Sequence, residues 1–177
     1  MAHSFGAFLV PQQHITYLQQ HPGSVHDYLD GRVPDATDPS SLPTDWPTEE
    51  PESMGSWSIN HRNTDLYHWI LNGGPELVTG AGSIFQTWYE PDHQSVAIKL
   101  DAFNERFAFG PEQLPELAAL VSKVDVPAVL KAFTAWCKSQ GKDYEPDEYA
   151  CMPFVDEFTM FGEGLQDAIR KGHGIVW

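Results

Sequence analysis

Prolines recur at short intervals early in the chain and disfavour regular secondary structure there. They occupy five positions, four or five residues apart: Pro34, Pro39, Pro43, Pro47 and Pro51. Each proline lacks a backbone N–H, and its ring collides with the preceding helical turn. The sequence therefore predicts a loop without regular structure at about residues 32–56. A loop of this length is uncommon inside a compact domain, and two interpretations are open: a tolerated insertion or a functional segment.

Outside this segment, apolar residues recur with the periods of helices and strands. Strands are expected at residues 5–10, 84–89, 96–100, 105–109 and 175–177. Helices are expected after Pro11 and within residues 22–31, 64–72, 111–124, 126–140 and 153–171. No internal repeat or linker divides the 177 residues, so a single domain over residues 1–177 is expected.

Several of the expected helices carry signals at their ends or in their interiors. Ser24 and Asp125 are predicted N-caps, because a short polar side chain accepts a hydrogen bond from the first helical turn. Pro115 is expected at about the fifth position of its helix. Gly162 and Gly164 are expected to weaken the last helix near its middle.

The balance of charge excludes several classes of partner. Acidic residues outnumber basic residues by 25 to 10, which gives a formal net charge of −15 at pH 7. Nucleic acid and anionic lipid are therefore not expected to bind, because both require a positive surface. The sequence begins without a signal-peptide pattern, and no apolar run reaches the about 18 residues of a membrane helix. We expect a cytoplasmic protein.

The acidic surface has two possible roles. It serves solubility alone, or it matches a basic protein partner and speeds the encounter with it. The candidate partner-binding residues lie in two acidic segments: Asp45, Glu49, Glu50 and Glu52 in the first, and Asp143, Glu145, Asp147 and Glu148 in the second.

The stretch DLYHWILNGG, residues 65–74, raises the question of a ligand pocket. Leu66, Trp69 and Ile70 have the spacing of one apolar helix face, and His68 lies among them. The candidate pocket residues are Asp65, His68, Trp69, Trp88 and Tyr89. The alternative is that the rings belong to the core and that His68 is a polar residue at the edge of a buried helix face.

Signatures of catalysis and of cofactor binding are missing from the sequence. His61, Asp65 and His68 are spaced i, i+4 and i+7, but the helix is expected to begin after His61, so no metal site is predicted. GxSxG, a phosphate-binding loop and a complete GxGxxG are absent, so neither a catalytic residue nor a cofactor is assigned. Cys137 and Cys151 form no CxxC pair and are expected to be buried or free thiols.

Four stretches together carry a resemblance to a known family. The first two are GAFLVPQQHITYLQQHPGSVHDYLDG and NTDLYHWILNGG, and the last two are FAFGPEQLPELAALVSKVDVPAVLKAF and FGEGLQDAIRKGHGIVW. In their order and local motifs they resemble the YfbM-like family, small bacterial domains of unknown function. His21 and Leu66 depart from the family pattern, where an aspartate and a lysine are usual. The resemblance implies a mixed α/β (α+β) fold, with a central mixed sheet and helices on both sides, and it implies no activity.

Two functions follow as hypotheses. The first is a non-enzymatic cytoplasmic module that binds a basic protein, in the manner of an immunity protein that inhibits a toxin; this step is an analogy. It is motivated by the charge of −15 and by the missing catalytic signatures. The alternative is a small-molecule-binding protein or enzyme that uses the pocket lined by tryptophan and histidine.

Overall fold

Five strands and six α-helices make up the part of the chain that the structure describes. The structure is a computed structural model that describes residues 2–34, 37–60, 64–74, 97–100 and 106–177, without the side chains of residues 2–5, 56–60 and 64. The strands are β1 (Ala2–Pro11), β2 (Glu52–Asn60), β3 (Ile98–Lys99), β4 (Phe107–Phe109) and β5 (His173–Val176). The helices are α1 (Gln12–Gln20), α2 (Val25–Leu29), α3 (Thr64–Asn72), α4 (Leu114–Val121), α5 (Val126–Ser139) and α6 (Glu148–Lys171). The strand expected at residues 84–89 lies outside the described residues.

The strands form one sheet in the order β2-β1-β5-β4-β3. Every described pair of neighbouring strands is antiparallel. The first strand pairs with the last one, so that Leu9 lies opposite Ile175, and Ile175 in turn lies opposite Phe109. The predicted mixed α+β class is confirmed, whereas the described part of the sheet is antiparallel and not mixed as expected.

Helices cover both faces of this sheet. Side chains of a strand alternate between the two faces, so neighbouring residues enter different layers of the core. Leu9, Phe109 and Ile175 belong to the larger apolar cluster, which includes residues of α3, α4, α5 and α6. Val10, Ala108 and Val176 belong to the smaller cluster, which includes residues of α1 and α2. The three central strands are therefore apolar on both sides, as is typical of a sheet between two helical layers.

The smaller layer departs from the sequence prediction at the start of α2. Ile15 and Leu18 of α1 are buried as expected, and Val25, Tyr28 and Leu29 of α2 are buried too. The prediction that Ser24 caps α2 with its side chain is wrong, since its hydroxyl makes no capping hydrogen bond. The chain already has helical dihedral angles at Ser24, because a 3₁₀ turn, Pro22–Ser24, leads directly into α2.

The proline-rich segment is less irregular than the sequence predicted. A 3₁₀ turn spans Pro39–Ser41, and Asp38 caps it by accepting a hydrogen bond from the backbone N–H of Ser40. The predicted loop also ends too late, because β2 begins at Glu52, directly after the last proline of the series. Pairing with β1 supplies the backbone hydrogen bonds that make this part a strand, and such a distant partner has no local signal.

The two helices that end the larger layer begin at aspartate caps. Asp125 accepts a hydrogen bond from the N–H of Ala128, as predicted, and Asp147 accepts one from the N–H of Ala150. The second cap starts α6 at Glu148, so the expected start at Pro153 is wrong. Pro153 lies inside the helix and removes one of its backbone hydrogen bonds, which burial of Cys151 and Phe158 on either side offsets.

Details of the other helices were also predicted only in part. Helix α4 begins at Leu114, so Pro115 occupies its second position rather than about the fifth, where the missing N–H has no helical partner to lose. Helix α6 continues through Gly162 and Gly164 without interruption. A Cβ atom at Gly164 would lie 2.4 Å from Cγ of Met54, so this glycine lets the helix lie against β2.

No helix among the described residues has the length and apolar character needed to cross a bilayer.

Gly174 provides a test of the packing between α1 and the sheet. A Cβ atom there would lie 2.3 Å from the carbonyl oxygen of Phe109 and 2.5 Å from Cδ1 of Ile15. We expect Gly174→Ala to lower the free energy of unfolding by about 2–3 kcal/mol, because it overpacks a filled core. Urea unfolding followed by circular dichroism measures the change. Gly23→Ala is the matched control, since no atom lies within 4 Å of the added methyl group; equal effects of the two variants would contradict the packing.

Candidate functional site

The pocket predicted around α3 lies partly outside the described residues. Asp65 is exposed, His68 is 6% exposed, and Trp69 is half-buried against the larger apolar cluster. Trp88 and Tyr89 are not among the described residues, and neither is His61. His68 is thus more buried than the tryptophan beside it, whereas the spacing had placed Trp69 on the apolar face. The pocket itself stays a prediction.

Next to this region, Tyr67 of α3 donates a hydrogen bond to a carboxylate of α6. The distance from the Tyr67 hydroxyl to Oε2 of Glu157 is 2.9 Å. Partial burial raises the pKa of Glu157, and the hydrogen bond from Tyr67 opposes this shift. Such a carboxyl group holds a proton at a higher pH than an exposed one. This pair joins α3 to α6, and sequence reasoning did not find it because its members lie 90 residues apart.

The described residues show no grouping that favours metal or thiol chemistry. No three His, Cys, Asp or Glu side chains within the described ranges are arranged to hold a metal ion. Cys137 and Cys151 are free and buried, as predicted. Burial raises the pKa of both thiols, and Asp147 and Glu148 raise the pKa of Cys151 further. A thiol with a raised pKa stays protonated at neutral pH and is a poor nucleophile.

A groove of about 540 Å³ lies between α4 and α6. Apolar side chains line part of it, including Val121 and Phe158. Glu163, Gln166 and Arg170 add a polar part, and Arg170 also pairs with Asp167 of its own helix. The volume lies within the range of small-molecule sites, about 300–1,000 Å³. Its polar groups do not include a buried acid, base or nucleophile.

Acidic and large exposed residues coincide at the start of α6. The predicted partner-binding residues Asp143, Glu145, Asp147 and Glu148 are all exposed. Three exposed large side chains lie between or beside them: Tyr144, Tyr149 and Met152. We call these seven residues the α6 acidic surface. Tyr149 is 87% exposed, although tyrosine is commonly at least partly buried.

The first set of predicted acidic residues is distributed differently. Glu49 and Glu50 are exposed, and their backbone lies close to Gly31, where a Cβ atom would be 2.6 Å from the nitrogen of Glu50. Glu52 forms an ion pair with Lys171 at 2.6 Å. Asp45 accepts a hydrogen bond from Gln13 of α1. Two of these four carboxylates therefore already have partners within the chain.

Asp45 also belongs to a cluster that sequence reasoning missed. We call His14, Tyr17, Tyr28, Asp45 and Trp46 the His14 cluster. His14 is 1% exposed, and its Nδ1 lies 3.1 Å from the hydroxyl of Tyr28. Its Nε2 lies 3.4 Å from Oδ1 of Asp45. The ring of Trp46 lies 5.0 Å from the rings of His14 and Tyr17 and 4.9 Å from that of Tyr28, measured between centroids.

Burial controls the protonation of this cluster. It lowers the pKa of His14, and His173 lowers it further, whereas the charge of Asp45 and its contact with His14 act in the opposite direction. Burial, followed by the charge of Asp45, raises the pKa of Tyr28. Both side chains are therefore neutral at pH 7. In the tautomer in which the Tyr28 hydroxyl donates to Nδ1, the proton of His14 lies on Nε2, which faces Asp45.

A local signal for half of this cluster is present in the sequence. His14 and Tyr17 are three positions apart and flank Ile15 and Leu18, so the buried stripe of α1 is wider than the aliphatic residues alone indicate. Trp46 is a large ring in an otherwise polar, proline-rich segment. No local signal predicts that α1 and the proline-rich segment are in contact, because they lie about thirty residues apart in the chain. Gln13 and Asp45, which form a hydrogen bond, are separated by 32 positions.

Comparisons with protein-family models, with curated proteins and with solved structures found no match to this chain.

The lowered pKa of His14 predicts a pH-dependent stability. The ordinary value is 6.5, so the unfolded chain binds more protons between that value and the lower folded pKa. The free energy of unfolding then falls as the pH drops through this window, by at most about 1.4 kcal/mol per pH unit. Urea unfolding between pH 7.5 and pH 4.5 should show a smaller slope for His14→Gln than for the wild type.

His26→Gln is the matched control, because His26 is exposed on the neighbouring helix. It should keep a slope close to that of the wild type. If His14→Gln kept the same slope, the buried imidazole would not be the group that titrates.

Proposed function

We propose that the protein is a non-enzymatic cytoplasmic module that binds a basic protein partner through the α6 acidic surface. The single observation that carries this proposal is the exposure of Tyr149 among four carboxylates. Tyrosine and methionine are enriched at protein interfaces, and tyrosine is frequent among the residues that contribute most to affinity. An exposed tyrosine with no apolar cover is consistent with a partner that covers it.

The charges around Tyr149 indicate the chemistry of that partner. Asp143, Glu145, Asp147 and Glu148 lie within six residues of chain and are exposed. Lys142, beside them, lies over the ring of Trp136 at 3.6 Å, so its cation is directed at an aromatic face. A surface of this kind attracts lysine and arginine side chains and repels acidic ones.

The surface is also held in place before any partner arrives. The Asp147 cap fixes the first turn of α6, and Cys151 anchors the next turn in the core. Tyr149 and Met152 project from this anchored part of the helix. A surface that is ordered in advance loses less conformational entropy on binding, which favours affinity.

The class of protein that fits best is an inhibitor of a basic enzyme or toxin, as in immunity proteins. Such proteins act by covering the target, so they need no catalytic group of their own. This assignment rests on analogy in size, charge and surface chemistry. The resemblance to the YfbM-like family is compatible with it and stays a prediction.

Matched variants test this surface in a capture experiment. The tagged protein is incubated with lysate of its native organism, washed at low and then at high salt, and the retained proteins are identified by mass spectrometry. We expect one stoichiometric basic protein that high salt removes. Tyr149→Ala should weaken its binding about 30-fold, because an interface tyrosine often contributes about 2 kcal/mol. Asp143→Asn with Glu145→Gln should also weaken it.

Glu112→Gln with Glu116→Gln is the control, because it removes the same number of exposed charges from another part of the surface. The control variant should bind as the wild type does. Affinity that is independent of salt, or an equal loss in the two double variants, would contradict a specific role of the α6 acidic surface.

A further inference from the structure

The proline-rich segment places a carboxylate and an aromatic ring, side by side in sequence, against buried polar groups of α1 and α2. We propose that Gln13, His14, Tyr17 and Tyr28 form a binding site for a small aromatic carboxylate, and that Asp45 and Trp46 occupy this site as an internal substitute. The inference is independent of the proposed protein partner, because it concerns the other helical layer of the sheet.

The carboxylate of Asp45 marks the anion half of the site. Gln13 donates a hydrogen bond to Oδ1 of Asp45, and Nε2 of His14 lies 3.4 Å from the same oxygen. Both side chains belong to the first turn of α1, whose N-cap, Pro11, supplies no capping side chain. The backbone N–H groups of a helix start favour an anion, and here no side chain of the cap residue satisfies them.

The fit of Asp45 to this half of the site is incomplete. Nε2 of His14 is buried and makes no hydrogen bond to any described residue, and 3.4 Å is long for one. The side chain of Asp45 is 57% exposed, so it covers His14 from the solvent side. A ligand carboxylate that replaced Asp45 would reach Nε2 from that side and would be free to accept a full hydrogen bond from it.

The ring of Trp46 marks the aromatic half. It packs edge-on against Tyr17 and Tyr28 and is tilted by 35° against His14, which are favourable arrangements for aromatic pairs. The Nε1 atom of Trp46 and the hydroxyl of Tyr17 are nevertheless buried with no hydrogen-bond partner in the described part of the chain. Buried polar atoms of this kind are costly to leave unpaired, and a ligand that carries acceptors relieves the cost.

The internal substitute lies in a part of the chain that neither sheet pairing nor a helix holds in place. Pro43 and Pro47 flank it, and the described backbone from Leu42 to Pro51 contains neither strand nor helix. A turn in which the N–H of Trp46 bonds to the carbonyl of Pro43 holds it locally. An external ligand therefore competes with Asp45 and Trp46 without disturbing the sheet. The apparent affinity is reduced by the fraction of molecules in which the site is occupied internally.

Indole-3-acetate is the probe, because it joins a ring of the size of Trp46 to one carboxylate. Binding is measured by calorimetry and by the imidazole ¹⁵N resonances of His14. We expect Asp45→Asn with Trp46→Ala, which opens the site, to bind the probe at least tenfold more tightly than the wild type. The His14 resonances should shift on binding. Indole, which lacks the carboxylate, and acetate, which lacks the ring, should each bind at least tenfold more weakly than indole-3-acetate.

Adding His14→Gln to the opened variant should reduce the affinity about tenfold or more. Equal affinity with and without His14, or no binding to an opened variant whose circular dichroism spectrum is native, would overturn the proposal. If the opened variant does not fold, Asp45→Asn alone serves, with an expected gain of about threefold in affinity, and no gain would overturn the proposal. Capture of a basic protein through the α6 acidic surface should be unchanged in Asp45→Asn, which separates the two proposals.

Discussion

The pairing of the first strand with the last strand is the interaction on which the rest of the structure depends. It places β1 and β5 side by side in the middle of the sheet, with β2 and β4 as their outer neighbours. Helix α1 leaves β1 toward one face, and α6 enters β5 from the other. The two candidate sites therefore lie in different layers, because each is built on the helix that adjoins one of the paired strands.

Local pattern was sufficient to predict much of this arrangement. The structure confirms three of these predictions. Val129 and Cys137 are buried on one helix, Asp125 caps that helix, and Ile175 lies in the last strand. These signals are local, since a cap or an amphipathic face is set by residues within one or two turns. The start of β2 at Glu52 was missed because a strand depends on its partner, and that partner lies more than forty residues away in β1.

The two candidate sites also combine features that the local sequence predicts with features that depend on the fold. The charge of the α6 acidic surface was evident from the sequence, whereas the exposure of Tyr149 beside the buried Cys151 depends on where α6 begins. The His14 cluster combines three separate segments, so composition and spacing did not reveal it. The mixed α+β class is confirmed, and the YfbM-like resemblance stays a prediction, because unrelated families share a fold class.

Gly174 has a consequence for motion as well as for packing. The methyl end of Ile15 and the carbonyl of Phe109 occupy the space where its side chain would be, so α1 is seated directly on the backbone of β5. Because Gly174 has no side chain, Ile15 already lies against the backbone of β5, and a close-packed contact of this kind resists movement of α1 toward the sheet. If the space between α1 and the proline-rich segment enlarges, as the proposed binding of an external ligand requires, α1 is therefore the side that stays in place. The enlargement then has to come from outward movement of Asp45 and Trp46.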